Sequence, residues 1–235
     1  MGSNPVGVTM RDKSLIVASC PFFFSPKPAG RIHVMFIYLC RQAQNFRTLK
    51  SIIDRLNQYL EISEQVKLKL TEFIVPKKLT RGTLLLKGGD TCQHIYFMKK
   101  GLARGFFNQD GKDITSWFAF ENDLATSLYS FVTQKPSFES IEILENSVLY
   151  AISYDNLQQL YRQFPEFNLI GRRFVEKYYV ELMARTMSLQ FQSAKERYQQ
   201  LLVLQPQLLQ RASLGHIASY LGISQETLSR IRAKI

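Results

Sequence analysis

The chain has 235 residues, 46% hydrophobic and 21% charged, with 30 Lys and Arg against 19 Asp and Glu for a net charge of +11. That balance belongs to a globular chain able to bury one or two cores, and it excludes a disordered or fibrous protein. Three cysteines (Cys20, Cys40, Cys92) without a C-x-x-C spacing exclude a disulfide framework and a four-cysteine zinc or iron–sulfur site. Three histidines far apart in sequence (His33, His94, His216) argue against a histidine metal cage.

No cofactor is therefore expected, and a reducing cytoplasm is the natural setting. The positive charge favours a polyanion through phosphate contacts, but it gains weight only beside a motif that reads nucleic acid.

Residues 1–45 differ from the rest. Leu15 to Phe24 and Ile32 to Cys40 are apolar runs, each too short for a bilayer, which needs about 20 apolar residues. The stretch Phe24-Ser25-Pro26-Lys27-Pro28-Ala29-Gly30 does not resemble domain core. This segment reads as poorly ordered, or as an over-extended start of translation.

A regular pattern begins near Leu49. Leu49, Ile52, Ile53, Leu56 and Leu60 predict a helical face, and Glu64 to Phe73 a second helix. The period then shortens. Strands are predicted at Thr83–Leu86, Ile95–Met98, Leu102–Phe107, Ile114–Phe120, Ser140–Leu144 and Leu149–Ser153, with a hairpin at Asp110-Gly111. Short, evenly punctuated strands favour a β-roll over a βαβ sheet.

Helical patterns return after the strands. Asp155 or a neighbour caps a helix through Phe164, and Pro165 opens a long one to about Ala194. Ile170, Phe174, Tyr178 and Leu182 make one apolar stripe on it; Val175, Tyr179, Met183 and Met187 make another. The first stripe is expected on the roll and the second against the same helix of another subunit, which makes a homodimer.

The stretch from Ser213 to Ile235 carries the chemistry. Ser213 caps a short helix with Leu214, Ile217, Ala218 and Leu221 on one face, Gly222 makes the turn, and Ser224 caps a second helix. Leu228, Ile231 and Ile235 point back at the first helix. Gln225, Glu226, Ser229, Arg230 and Arg232 remain on the outside, near the end that enters a major groove. Arg230 can give two bonds to guanine and Glu226 can accept from cytosine; Ser229 and Gln225 are secondary readers. Thr227, Arg232 and Lys234 are phosphate candidates. His216, inside the first helix, reads as structural or as a phosphate contact.

From about residue 50 onward this order of parts resembles the Crp/Fnr family of bacterial transcription regulators. Gly82 to Asp90, His94 to Gly101 and Asp110-Gly111-Lys112 are similar to the front of a cyclic-nucleotide-binding barrel. Glu226-Thr227-Leu228-Ser229-Arg230 resembles the Glu-x-x-Ser-Arg pattern of the Fnr-like branch, which implies TTGA-like half-sites in an inverted repeat. The departures matter too. Nucleotide-binding members carry an arginine in a phosphate cassette, whereas Glu121 to Ser127 and Pro136 to Ser140 contain none and add carboxylates. Cyclic-nucleotide binding is thus not expected. Cys92 reads as a buried inert thiol in preference to a redox switch.

The expected architecture is α+β: an N-terminal β-roll sensor like a cyclic-nucleotide-binding domain, a long dimerisation helix, and a C-terminal helix-turn-helix lacking a wing. Its divisions fall at 1–45, 46–164 (roll with flanking helices), 165–194 (dimer helix) and 195–235 (DNA-binding domain). The expected partners are double-stranded DNA and a second copy, with room for an unidentified small-molecule effector, and no membrane. Two rivals stand beside this reading. One is a ligand-binding β-roll with a vestigial helix-turn-helix. The other is a cupin-like metalloenzyme, which needs barrel histidines where only His94 lies nearby.

Overall fold

The computed structural model describes residues 49–234, all within one compact unit, Gln44–Ile235. The readings for residues 1–45 and for Ile235 lie outside the described residues.

A helix over 49–57 (α1) buries Leu49, Ile52, Ile53 and Leu56, the expected face. The second, α2 (Glu64–Phe73), has the expected bounds, and the Ser63 hydroxyl caps it by accepting from the Val66 N–H.

Eight strands follow: β1 (Val75–Leu79), β2 (Leu84–Leu86), β3 (His94–Lys100), β4 (Ala103–Gln109), β5 (Lys112–Ala119), β6 (Leu124–Ala125), β7 (Ser140–Ile143) and β8 (Ser147–Ser153). They form two antiparallel sheets of four, ordered β1-β8-β3-β6 and β2-β7-β4-β5. Met98 and Leu149 from one sheet and Ala103, Ala119 and Ile143 from the other share a buried core, which makes the pair of sheets a roll.

All six predicted strands are present, shifted by a residue or two at most of their ends. The β4–β5 hairpin turns at Asp110 and Gly111, whose φ angles of 51° and 80° are the left-handed pair that a two-residue hairpin uses.

Helices flank the roll. A short α3 (Leu128–Thr133) bridges β6 and β7, and α4 (Tyr154–Gln163) is capped by Ser153. The long α5 spans Pro165–Phe191 and stops three residues short of the expected Ala194. Gln192 is extended, and Ser193 and Glu196 form a reciprocal capping box that starts α6 (Ala194–Leu204). Then come α7 (Leu208–Arg211), α8 (Leu214–Tyr220) and α9 (Gln225–Arg232).

The first α5 stripe packs within the chain only at its start. Ile170 is buried and Phe174 half-buried, but Tyr178 and Leu182 are exposed. Helix geometry gives the reason. A four-residue step overshoots a turn by about 40°, so three steps carry Leu182 about a third of a turn away from Ile170.

Candidate nucleic-acid interface

Local chemistry builds α8 and α9. The Ser213 hydroxyl accepts from the His216 N–H at 3.1 Å, and the Ser224 hydroxyl from the Thr227 N–H at 3.2 Å. Between the helices Gly222 sits at φ +66°, a conformation that a side chain would strain. The Ile223 N–H then donates back to the Ala218 carbonyl at 3.0 Å and closes the turn. Leu228 is fully buried with Ile217, Ala218 and Leu221, and Ile231 packs at their edge.

The predicted readers take the predicted face. Gln225, Glu226, Ser229, Arg230, Arg232 and Lys234 are exposed, and Thr227 is half-buried. Two of them do more than face solvent. A Cβ at Gly215 would come within 3.5 Å of Gln225 Oε1, so this amide lies back over α8. Arg230 Nη2 donates to Thr227 Oγ1 at 3.2 Å, and the Ser224 hydroxyl donates to the same oxygen at 3.2 Å. Thr227, expected at a phosphate, thus tethers Arg230. The Ser224 side chain and then the backbone N–H of Glu226 itself hold the Glu226 carboxyl below its ordinary pKa, and Arg230 adds to the effect.

Sequence reasoning did not find the groups that seat this unit on the roll. β5 is an edge strand, and an edge leaves backbone groups unpaired. Ser219 of α8 covers two of them, donating to the Asp113 carbonyl and accepting from the Thr115 N–H, both at 2.9 Å. Arg185 of α5 lies 3.9 Å over the Tyr220 ring and donates to the Tyr220 carbonyl at 2.9 Å; Arg197 donates to that of Leu221 at 2.9 Å.

Arg211 holds Glu121 through two 2.8 Å bonds and also pairs with Glu145. Those bonds pull the Glu121 pKa down to about 2. Leu102, Phe120 and Leu144 of the roll join the same apolar cluster as Ile217 and Leu228. These partners lie far apart in sequence, so no local pattern announces them.

The roll has its own buried carboxylate. Glu139 lies just ahead of β7 and is only 9% exposed. Trp117 Nε1 donates to it at 2.8 Å and the Ser116 hydroxyl at 3.3 Å. Burial nevertheless raises its pKa above the ordinary value of 4.5. Gly105 makes room for the indole, since a Cβ there would collide with the Trp117 ring. A groove of about 760 Å³ between roll and α5 has Trp117, Phe118, Phe174 and Tyr178 in its walls. Cys92 is buried, its Sγ donating to the His94 carbonyl at 3.3 Å.

Among the described residues, no helix is long and apolar enough to cross a membrane. The cyclic nucleotide-binding domain family matches residues 76–164, which is the roll with α4. The fumarate and nitrate reduction regulatory protein of Vibrio cholerae is 24% identical over 227 residues, covering 88% of this chain and 85% of its own length.

Among solved structures, a Crp/Fnr-family transcriptional regulator from Eubacterium rectale superposes with a TM-score of 0.61 at 17% identity, over 74% of this chain and 83% of that one. CLP of Xanthomonas campestris, described as a c-di-GMP responsive global regulator, gives 0.58 at 17% identity, over 73% and 91%. The roll thus matches a cyclic nucleotide-binding domain, and the chain shares its fold with solved regulators described as Crp/Fnr-family and c-di-GMP responsive.

Proposed function

We propose that the protein is a sequence-specific DNA-binding transcription regulator that acts as a homodimer on an inverted repeat. One observation carries the reading. The second helix of the helix-turn-helix has a capped N-terminus and turns Glu226, Ser229 and Arg230 outward while Leu228 anchors it from behind. Arg230 suits a guanine and Glu226 the paired cytosine, so one G·C pair per half-site carries the strongest preference. Arg232 and Lys234 supply phosphate contacts.

The dimer reading has support in α5. Val175, Tyr179, Met183 and Met187 are each between 41% and 61% exposed, an apolar stripe without a cover in the single chain. A second copy brings the same stripe to it and sets two reading helices one turn of DNA, about 34 Å, apart.

The roll is not a cyclic-nucleotide receptor on this reading. The segment from α3 into β7 offers a buried Glu139 carboxylate and no arginine, and its one cation, Lys135, is exposed, so a phosphate there would meet repulsion without a buried cation to offset its desolvation.

Binding of purified protein to an inverted repeat of TTGA-like half-sites, against a scrambled duplex, tests the proposal, with and without cyclic AMP. Preference for the repeat that falls steeply with salt and ignores cyclic AMP is the expected result. Equal binding of both duplexes would refute sequence reading; a large gain on adding cyclic AMP would refute the account of the roll.

A further inference from the structure

The groove beside the roll has a further wall in α1, which lines it with Ile52, Arg55 and Leu56. Most of the remaining wall is apolar, from Phe97 and Trp117 of the roll to Phe174 of α5. At about 760 Å³ it is several times the roughly 150 Å³ of an apolar cavity that admits benzene. That size suits a ligand with a long apolar body.

Arg55 breaks the apolar lining. Its Nη1 donates to Gln58 Oε1 at 2.8 Å, but its Nε N–H is buried and finds no acceptor among the described residues. A buried donor without a partner is costly, the more so when it carries charge, and an acceptor placed there removes the cost. The guanidinium carbon stands 5.7 Å from the centre of the Tyr59 ring, and that ring packs on Phe174 with centroids 4.8 Å apart. Gln58 and an aromatic pair that includes a groove wall thus hold Arg55 in place.

The other charges of the groove are already engaged. Arg172 pairs with Glu176 at 3.3 Å and Lys177 with Glu181 at 3.5 Å. Asp123 Oδ2 accepts the Phe120 N–H at 3.0 Å. Among the described residues, Arg55 is in no ion pair. The groove therefore combines a long apolar wall with one uncompensated guanidinium.

We infer that this groove binds a fatty-acid-like monocarboxylate, whose head Arg55 holds while its chain lies between the roll and α5. A guanidinium presents parallel N–H donors that match the two oxygens of a carboxylate, and a single negative charge answers the single unpaired cation. A phosphate monoester would bring a second charge, with Arg172 and Lys177 already paired. The site does not depend on the DNA-reading proposal.

Trp117 lines the groove and is the single tryptophan of the chain, so its emission reports occupancy. The purified full chain is titrated with decanoate below its micellar concentration, and with methyl decanoate as a neutral ester carrying the same acyl chain. The expected result is saturable binding of decanoate to wild type, a loss of roughly tenfold or more in Arg55→Gln, and equal binding of the ester by both proteins. Octanoate should bind wild type less tightly than decanoate, by up to about fourfold for each methylene removed. Lys177→Gln removes a cation that already has a partner and should leave decanoate affinity near wild type. Melting curves establish that the variants are folded. Arg55→Lys keeps the charge without the planar fork; it should bind decanoate several-fold more weakly, and it carries the test if Arg55→Gln does not fold.

No saturable change with decanoate would overturn the inference, as would equal decanoate affinity in wild type and the Arg55 variants. A loss in Lys177→Gln as large as that in Arg55→Gln would also overturn it, since general positive charge would then do what is assigned to Arg55.

Discussion

Arg230 stands on the exposed face of α9 with one guanidinium nitrogen tied to Thr227 Oγ1 at 3.2 Å. A tether of this kind limits the rotamers that a long side chain loses on meeting a base. Arg230→Ala should cost about 1–3 kcal/mol at one base pair and relax preference there alone, as binding across single-substituted duplexes would reveal. Thr227→Val should blunt discrimination at the same pair while Thr227→Ser retains it. A uniform loss across all duplexes would instead return Thr227 to a phosphate.

Glu139 gives a second test at this scale. Its pKa is raised by burial in the folded chain. The fold therefore favours its protonated form, and the associated stability is full below the ordinary value of 4.5 and lost as pH rises through the folded pKa. Glu139→Gln keeps an oxygen for the Trp117 N–H and removes the charge. Its melting temperature should exceed that of wild type at neutral pH, with the gap closing below about pH 4.5. A gap independent of pH would contradict this assignment.

The elements differ in how openly the sequence announces them. Ser213, Gly222 and Ser224 are local signals, each acting within four residues, and both helices of the reading unit stand where those signals put them. β1 escapes a reading by pattern because Val75-Pro76-Lys77-Lys78-Leu79 contains a proline and two lysines; it is an edge strand, where neither is penalised. β6 has two residues, too few for any periodicity. The division between α5 and α6 was legible in Ser193 and Glu196, a capping box that a continuous apolar pattern hid.

Of the interface, the exposed face of α9 was legible. Ser219, Arg185 and Arg211 were not, because their partners lie 35 to 106 positions away.

The uncovered stripe of α5 makes its own prediction. Met183→Glu puts a charge into a surface that the proposal buries between two copies. Sedimentation should find monomer at concentrations where wild type is dimeric, and affinity for the full inverted repeat should fall toward that for a half-site. A dimeric Met183→Glu protein would move the interface off this stripe.

In the whole molecule, roll, long helix and helix-turn-helix are joined by polar ties and a common apolar cluster. Arg211 is the tie with the clearest electrostatic signature. Its bonds lower the Glu121 pKa to about 2, so their stabilisation is full above the ordinary 4.5 and is lost as pH falls toward 2. Arg211→Ala should therefore lower the melting temperature most at neutral pH, with the difference from wild type shrinking between pH 4.5 and 2. A variant as stable as wild type at pH 7 would mean that the tie is too solvated to matter.

The central claim is that two copies of this chain read DNA sequence through α9. Selection of bound duplexes from a random pool, with purified wild-type protein at near-physiological salt, tests it most directly. The account predicts enrichment of an inverted repeat with a G·C pair in each half and half-sites one helical turn apart. A pool that stays random, or an enriched single site without the repeat, would contradict it.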